Sequence, residues 1–402
     1  MYDLLIKNAK VMTFNQKDEI LNKAHIIVKN EKIIDIINSD HNLPEARETH
    51  DNKGNLLTPG LIDCHTHVIY GGDRANEFEL RLKGASYEEL AKKGAGILST
   101  VKATRQASEE ELFLSAKKRL LQMMSFGTTT CEVKSGYGLN FETELKMLNV
   151  AKKLNENLPL SLVSTFLGAH ALPPEFHSKD EYINSIVHEI LPVLAEKKLC
   201  QFVDGFCETI AFSPAQIKKL FQKAKSLGFK LKLHAEQLSD QKGSVLASEM
   251  GAVSVDHLEY LSEKDVLSLK DNSTVATLLP GAFYFLKANK KPPIKALKEN
   301  KIPIAIATDA NPGSSPFLSL PLMMNMACTL FSLNPYEAFK GVTFNAAKAL
   351  NLEKKKGSIA PGMDADFCCW STSNYSEIIC YPNYNYLDLF IKKGKEIKFK
   401  KP

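Results

Sequence analysis

The stretch "LTPGLIDCHTHVIYGGDR", Leu57–Arg74, closes an apolar run on two histidines one residue apart. A glycine pair and an arginine follow. Alternate residues of a strand project from one face. His65 and His67 therefore point the same way where the strand ends, and both rings can converge on one ion. Further ligands must come from elsewhere in the chain, so the question becomes which fold delivers them.

Seven more apolar runs can do so: "GTTTCEVKS" (127–135), "LSLVSTFLGAH" (160–170), "QFVDGFCE" (201–208), "FKLKLHAE" (229–236), "AVSVDHLEY" (252–260), "TVATLLPG" (274–281) and "IPIAIATDAN" (302–311). With "NLLTPGLIDCH" (55–65) they make eight candidate strands. Helix-like segments alternate with them, among them "SEEELFLSAKKRLLQMMSF" (108–126), "FETELKMLNVAKKLN" (141–155) and "SPAQIKKLFQKAKSLG" (213–228). Ser213 before Pro214 is an N-cap followed by a first-turn proline. Eight β-then-α units predict an α/β fold, a (β/α)8 TIM barrel. Such a barrel takes about 250 residues, and this chain has 402. Both ends are β-rich: "YDLLIKNAKVMTF" and "AHIIVKNEKIIDIIN" at the start, "KGSIAPGMDADFCCWS" and "YLDLFIKKGKEIKFK" at the finish. The expected organisation is a barrel over 58–352 and a small β-sandwich domain built from 1–57 and 353–402.

Composition narrows the function classes. The chain is 44% hydrophobic and 24% charged, with a net charge of +5. The lysine clusters at Lys354–Lys356 and at Lys392, Lys393, Lys395, Lys398, Lys400 and Lys401 are short. They read as solvated faces, not as a nucleic-acid surface. A mild positive balance also suits a small acidic substrate. Eight cysteines without a C-x-x-C pair make neither a dense disulfide framework nor a zinc knuckle. There is no signal-peptide pattern at the start and no apolar run of membrane-spanning length. The expectation is a cytoplasmic protein in a reducing compartment, with no membrane partner.

In a TIM barrel the chemistry sits at the C-terminal strand ends. Those ends carry His65 and His67, Lys134 with Tyr137 just after, His170, Glu208, His234 with Glu236 and Gln237, Asp256 with His257, and Asp309 with Asn311, Gly313 and Ser314. Of ten histidines, five fall there. His25, His41, His50, His177 and His188 do not, and read as surface residues. A lone strand-end histidine is more often a hydrogen-bonded structural residue; His-x-His shifts that balance. His65, His67, His234 and Asp309 offer three nitrogens and one oxygen, a donor set for zinc or iron. His257 is a candidate for proton transfer beside it. A bound ion of this kind brings water to its reactive form near neutral pH.

"PGLIDCHTH", the strand-end histidines 234 and 257, "ATDANPGS" and "KGSIAPGMDADF" together resemble the amidohydrolase superfamily across essentially the whole chain. A narrower set, "HTHVIYGGDRANEFELRLKGASYEE", "TTTCEVKSGYGL", "TFLGAHALP", "LHAEQLSD" and "ATDANPGSSP", is similar to the imidazolonepropionase family. The resemblance implies hydrolysis of the cyclic amide of 4-imidazolone-5-propanoate to N-formimidoyl-L-glutamate in histidine degradation. It implies one Zn2+ or Fe3+ ion per subunit on His65, His67, His234 and Asp309. Arg74, Tyr137, His170, Gln237, Asn311, Gly313 and Ser314 would contact the substrate. Asp309 and His257 would handle protons, and the protein would form a homodimer. An arginine suits the propanoate because its fork grips a carboxylate bidentately.

The chain departs from the family pattern at two places. Gln237 cannot titrate where a carboxylate can stand, and Ser314 replaces a threonine. Glu236 is adjacent, but neighbouring strand residues face opposite ways, so the base role shifts to Asp309 with His257. Glu208 stays open as a ligand for a second ion. The alternatives are a cytosine- or guanine-type deaminase and a non-enzymatic scaffold.

Overall fold

Eight parallel strands form one sheet in strict sequential order. They are β1 (Leu61–Asp63), β2 (Thr128–Lys134), β3 (Ser161–Ala169), β4 (Phe202–Cys207), β5 (Lys230–Ala235), β6 (Ser254–His257), β7 (Val275–Leu278) and β8 (Ile304–Ile306). All eight fall inside the expected runs. This computed structural model describes residues 1–38, 43–84 and 96–398. His41, Lys400, Lys401 and most of the "KGASYEE" motif lie outside the described residues.

The barrel closes just past the strands themselves. Thr66 bridges Ala310 in parallel. The His67 N–H donates to the Ala310 carbonyl at 3.0 Å, and the Asp309 N–H to the His65 carbonyl at 3.0 Å. Helices follow the strands as their sequence signals require. Ser108 and Ser213 each close a capping box, on Glu109–Ser125 and Pro214–Ser226, which satisfies two otherwise unpaired donors per helix. The apolar faces of these helices pack on the strands in one continuous core.

The two chain ends form a second sheet. Its strands Tyr2–Met12, Ile20–Lys29, Lys32–Ile37, Ala46–Asp51 and Leu56–Pro59 are joined by Phe367–Trp370, Leu387–Lys392 and Lys395–Glu396. They make one hydrogen-bonded network, branched at Tyr2–Met12, around its own apolar core. The expected first strand is split between the two sheets. Leu56–Pro59 pairs with Phe367–Trp370 and Leu61–Asp63 with the barrel. Gly60 turns the corner, and a Cβ there would collide with the Thr129 side chain.

Three surface expectations are corrected. His25 is buried, in the sheet of the chain ends, with the Asn8 N–H 3.4 Å from Nδ1. Lys356 and Lys392 are buried rather than solvated. Both pair with Asp366, at 2.5 and 2.7 Å. Lys392 also donates to the Thr129 carbonyl and Ser161 hydroxyl at 2.9 Å each, which ties the second sheet to the barrel. A short lysine cluster is legible as charge in the sequence, but not the aspartate that draws two of its members inside.

Candidate metal centre and substrate pocket

The bonds that close the barrel also set the donors in place. His65 and His67 leave β1 on one face, and Asp309 is brought to them by its backbone bond to His65. His234 enters from β5. The four donor atoms crowd together. His65 Nε2 lies 3.2 Å from His67 Nε2, which lies 3.4 Å from His234 Nε2. Asp309 Oδ1 is 3.4 Å from His65 Nε2 and 3.3 Å from His67 Nε2. All four residues are buried.

The donor set fits a metal ion. His65 Nδ1 donates to Asp256 Oδ2 at 2.6 Å, so its Nε2 presents a lone pair to the centre. His234 Nδ1 lies 3.1 Å from Asp204 Oδ2. A ligating histidine characteristically gives its outer ring nitrogen to a carboxylate in this way. Lone pairs and a carboxylate this close repel one another, and a cation among them removes the repulsion. The histidines 65, 67 and 234 are also the group among the described residues whose ligand atoms cluster to within 4.8 Å.

Beneath the donors lies a buried floor of five charges. Lys134 reaches Asp204 at 2.7 Å and Glu132 at 3.0 Å. Lys232 reaches Glu132 at 3.1 Å and donates to the Cys64 carbonyl at 2.9 Å. Asp256 lies 3.8 and 3.9 Å from the two ammonium groups. Burial opposes ionisation of Asp204, but His234 and Lys134 hold its carboxyl well below the usual range. Burial opposes Asp256 likewise, and Lys232 and His65 hold it low. The two carboxylates that orient histidines are thus kept charged by two lysines. Lys134 belongs to this floor and not to the mouth.

Glu132, Asp204 and Lys232 escaped the sequence reading. Their signal was a charged residue inside a run that must be buried on both faces. Lys232 and His234, or Glu132 and Lys134, share parity on one strand, which marks the inward face.

Above the donors opens a cavity of about 640 Å³. Its lining brings together every residue expected at the substrate: Arg74, Tyr137, His170, Gln237, Asn311, Gly313 and Ser314, with His257 and Asp309. His170 Nδ1 donates to the Gly136 carbonyl at 3.0 Å, and its ring stacks on His67 with centroids 5.6 Å apart. Burial, then the neighbouring His67, lowers the His170 pKa to about 3. Burial lowers His257 to about 4, and its Nδ1 has no partner among the described residues. Both rings are neutral at pH 7.

Asn311 organises the loop after β8. Its amide donates to the Asp309 carbonyl at 2.7 Å, and its Oδ1 accepts the N–H groups of Gly313 and Ser314 at 2.8 Å each. A Cβ on Gly313 would collide with Arg74 Nη1. Glu236 faces away, accepting the N–H groups of Gly243 and Ser244 at 2.7 and 2.9 Å. Glu208 accepts from Leu238 N–H at 2.8 Å and from the Ser239 hydroxyl. It pins that loop and is outside the cluster of ligand atoms.

The model of the amidohydrolase family matches residues 56–397. An imidazolonepropionase of Idiomarina loihiensis is 51% identical over 374 residues, 92% of this chain and 91% of that protein. One of Hahella chejuensis is 53% identical over 329 residues, 82% of each. The chain belongs to the imidazolonepropionase group of the amidohydrolase family. Solved structures share this amidohydrolase fold at low identity. A zinc-bound adenosine deaminase from Xanthomonas campestris aligns at TM-score 0.73 and 16% identity, over 98% of this chain and 92% of that one. An atrazine chlorohydrolase from Arthrobacter aurescens complexed with zinc aligns at 0.74 and 14%, over 98% and 94%. Among the described residues, no helix of the amidohydrolase is long and apolar enough to cross a membrane.

Proposed function

We propose that the chain hydrolyses the cyclic amide bond of 4-imidazolone-5-propanoate, giving N-formimidoyl-L-glutamate, as a cytoplasmic step of histidine degradation. The observation that carries this reading is identity near one half, along almost the whole chain, to proteins named imidazolonepropionase. The pocket supports it: one cavity is lined both by His67, His234 and Asp309 of the donor set and by Arg74.

One Zn2+ or Fe3+ ion on His65, His67, His234 and Asp309 would supply Lewis acidity and reactive water near neutral pH. Arg74 holds the propanoate and so fixes the ring relative to the donors. Tyr137 and His170 bound the ring on one side, and Gln237 on another. Asp309 with the neutral His257 takes the proton of the attacking water. It returns to the ring nitrogen as the C–N bond breaks. Glu236 and Gln237 are left out of proton transfer, one by orientation and one by chemistry. The boundaries 1–57, 58–352 and 353–402, and a homodimer readable by sedimentation, complete the proposal.

The test is turnover of 4-imidazolone-5-propanoate, followed by the loss of its ultraviolet absorbance with and without a chelator. The expected result is chelator-sensitive ring opening without ammonia release. Ammonia as a product would identify a deaminase and overturn the reading.

A further inference from the structure

Arg74 is not a free guanidinium. Its Nε donates to Glu77 Oε2 at 2.8 Å, and its Nη2 donates to the other oxygen of the same carboxylate. Glu77 is buried, and its Oε2 also accepts the Gly96 N–H at 2.8 Å. Two of the three nitrogens of Arg74 are thereby engaged. Nη1 remains, against Gly313. The Arg74–Glu77 pair carries no net charge, so it is a weak attractant for an anion by itself.

The positive charge at this wall comes from one helical turn further on. Residues 77 and 81 lie four apart in the helix Ala75–Leu82 and share a face. Arg81 Nη2 donates to the Gly313 carbonyl at 3.2 Å. Its Nε is buried and has no partner among the described residues. The guanidinium sits against Phe285 and Phe78, 5.2 and 6.0 Å from their ring centroids, which holds it in one orientation. Arg81 lines the same cavity as Arg74, and both guanidinium groups meet at Gly313. Two like charges at one glycine are tolerated because Glu77 lies between them.

We propose that Arg81 is a second carboxylate-binding residue of this pocket, with Glu77 as the positioning residue that fixes Arg74 and spaces the two guanidinium groups. The inference rests on the reading that the substrate is a carboxylate-bearing cyclic amide, and it names which charge recognises that carboxylate. Arg74 contributes a fixed direction. Arg81 contributes the net charge.

The metal-loaded protein tests this with two probes, imidazole-4-propanoate and its carboxamide, bound calorimetrically without turnover. The wild type should prefer the propanoate by about tenfold or more, because a site built for a charged group rejects the neutral analogue. Equal affinity for the two probes would overturn the proposal without any variant. Arg81→Gln should raise KM for the imidazolone about tenfold, lower kcat by no more than about threefold, and remove most of the probe preference. Arg81→Lys, which keeps charge without the fork, should fall between. Glu77→Gln should raise KM yet keep the preference, since both guanidinium groups remain charged. Wild-type KM and probe preference in Arg81→Gln would overturn the proposal. A wild type that binds the propanoate probe but never opens the imidazolone ring would instead overturn the proposed function and leave the carboxylate site standing.

Discussion

The Asp309 N–H donates to the His65 carbonyl at 3.0 Å, so the last of the proposed metal donors is fixed to the first by the bond that closes the barrel. Closure brings His65, His67 and Asp309 together, while His234 enters from β5. The backbones of both strand ends are held by these bonds and not by the donor side chains.

Removing the metal should therefore cost activity before it costs the fold. A chelator is expected to abolish turnover while far-ultraviolet circular dichroism is retained. The melting temperature should fall, since a ligand at a hundred times its dissociation constant stabilises by about 2.7 kcal/mol. Added zinc or iron should restore both. Full activity in a metal-free His65→Ala protein would sink the metal assignment.

Asp256→Asn removes the carboxylate that accepts from His65 Nδ1. Loss of such a partner lowers metal affinity by about 10- to 100-fold. Competition with a chromophoric chelator reads this directly. An unchanged affinity would show that Asp256 is not orienting the ligand.

Lys134→Met leaves Asp204 and Glu132 buried beside an apolar chain. Breaking a buried ion pair costs about 3–5 kcal/mol, to be measured by urea unfolding. Lys83→Met is the control. Lys83 and Glu79 pair on the surface, at 67% and 63% exposure, where about 0–1 kcal/mol is expected. Equal losses in the two variants would contradict the burial argument.

Gly313→Ala should act on binding more than on chemistry. The added Cβ displaces Arg74 Nη1, so KM is expected to rise about tenfold with a smaller change in kcat. Metal content should match the wild type. A variant with normal KM would mean that Arg74 adapts.

His170 and His257 have pKa values lowered to about 3 and about 4, mainly by burial, against about 6.5 for an unfolded histidine. The unfolded chain therefore binds more protons as pH falls. The stability from these two rings is fully present above about pH 6.5 and is lost on descending toward pH 4 and below. Metal-free wild type should lose stability over that window more steeply than His170→Asn or His257→Asn. Parallel curves would refute the assignment.

The barrel was legible because its eight strands are short apolar runs, seven of them ending on ionisable residues. Ser213 was legible because a cap followed by proline is local chemistry. What escaped depended on distant partners. Lys356 and Lys392 read as solvent-facing until Asp366 is placed beside them. Arg81 went unremarked in the sequence, because only the fold brings the Gly313 carbonyl to it. Gly60 hid a change of sheet inside one apolar run, which composition alone cannot reveal.

Lys392 follows the entire barrel in sequence, yet its ammonium seats on Thr129 and Ser161 at the opening edges of β2 and β3. A nascent chain that has emerged through the loop after β8, as far as Ser314, owns every donor and every pocket residue. It still lacks Asp366 and both lysines, Lys356 and Lys392, that pair with it. Translation order thus separates assembly of the mouth from sealing of the base, and the base is finished last.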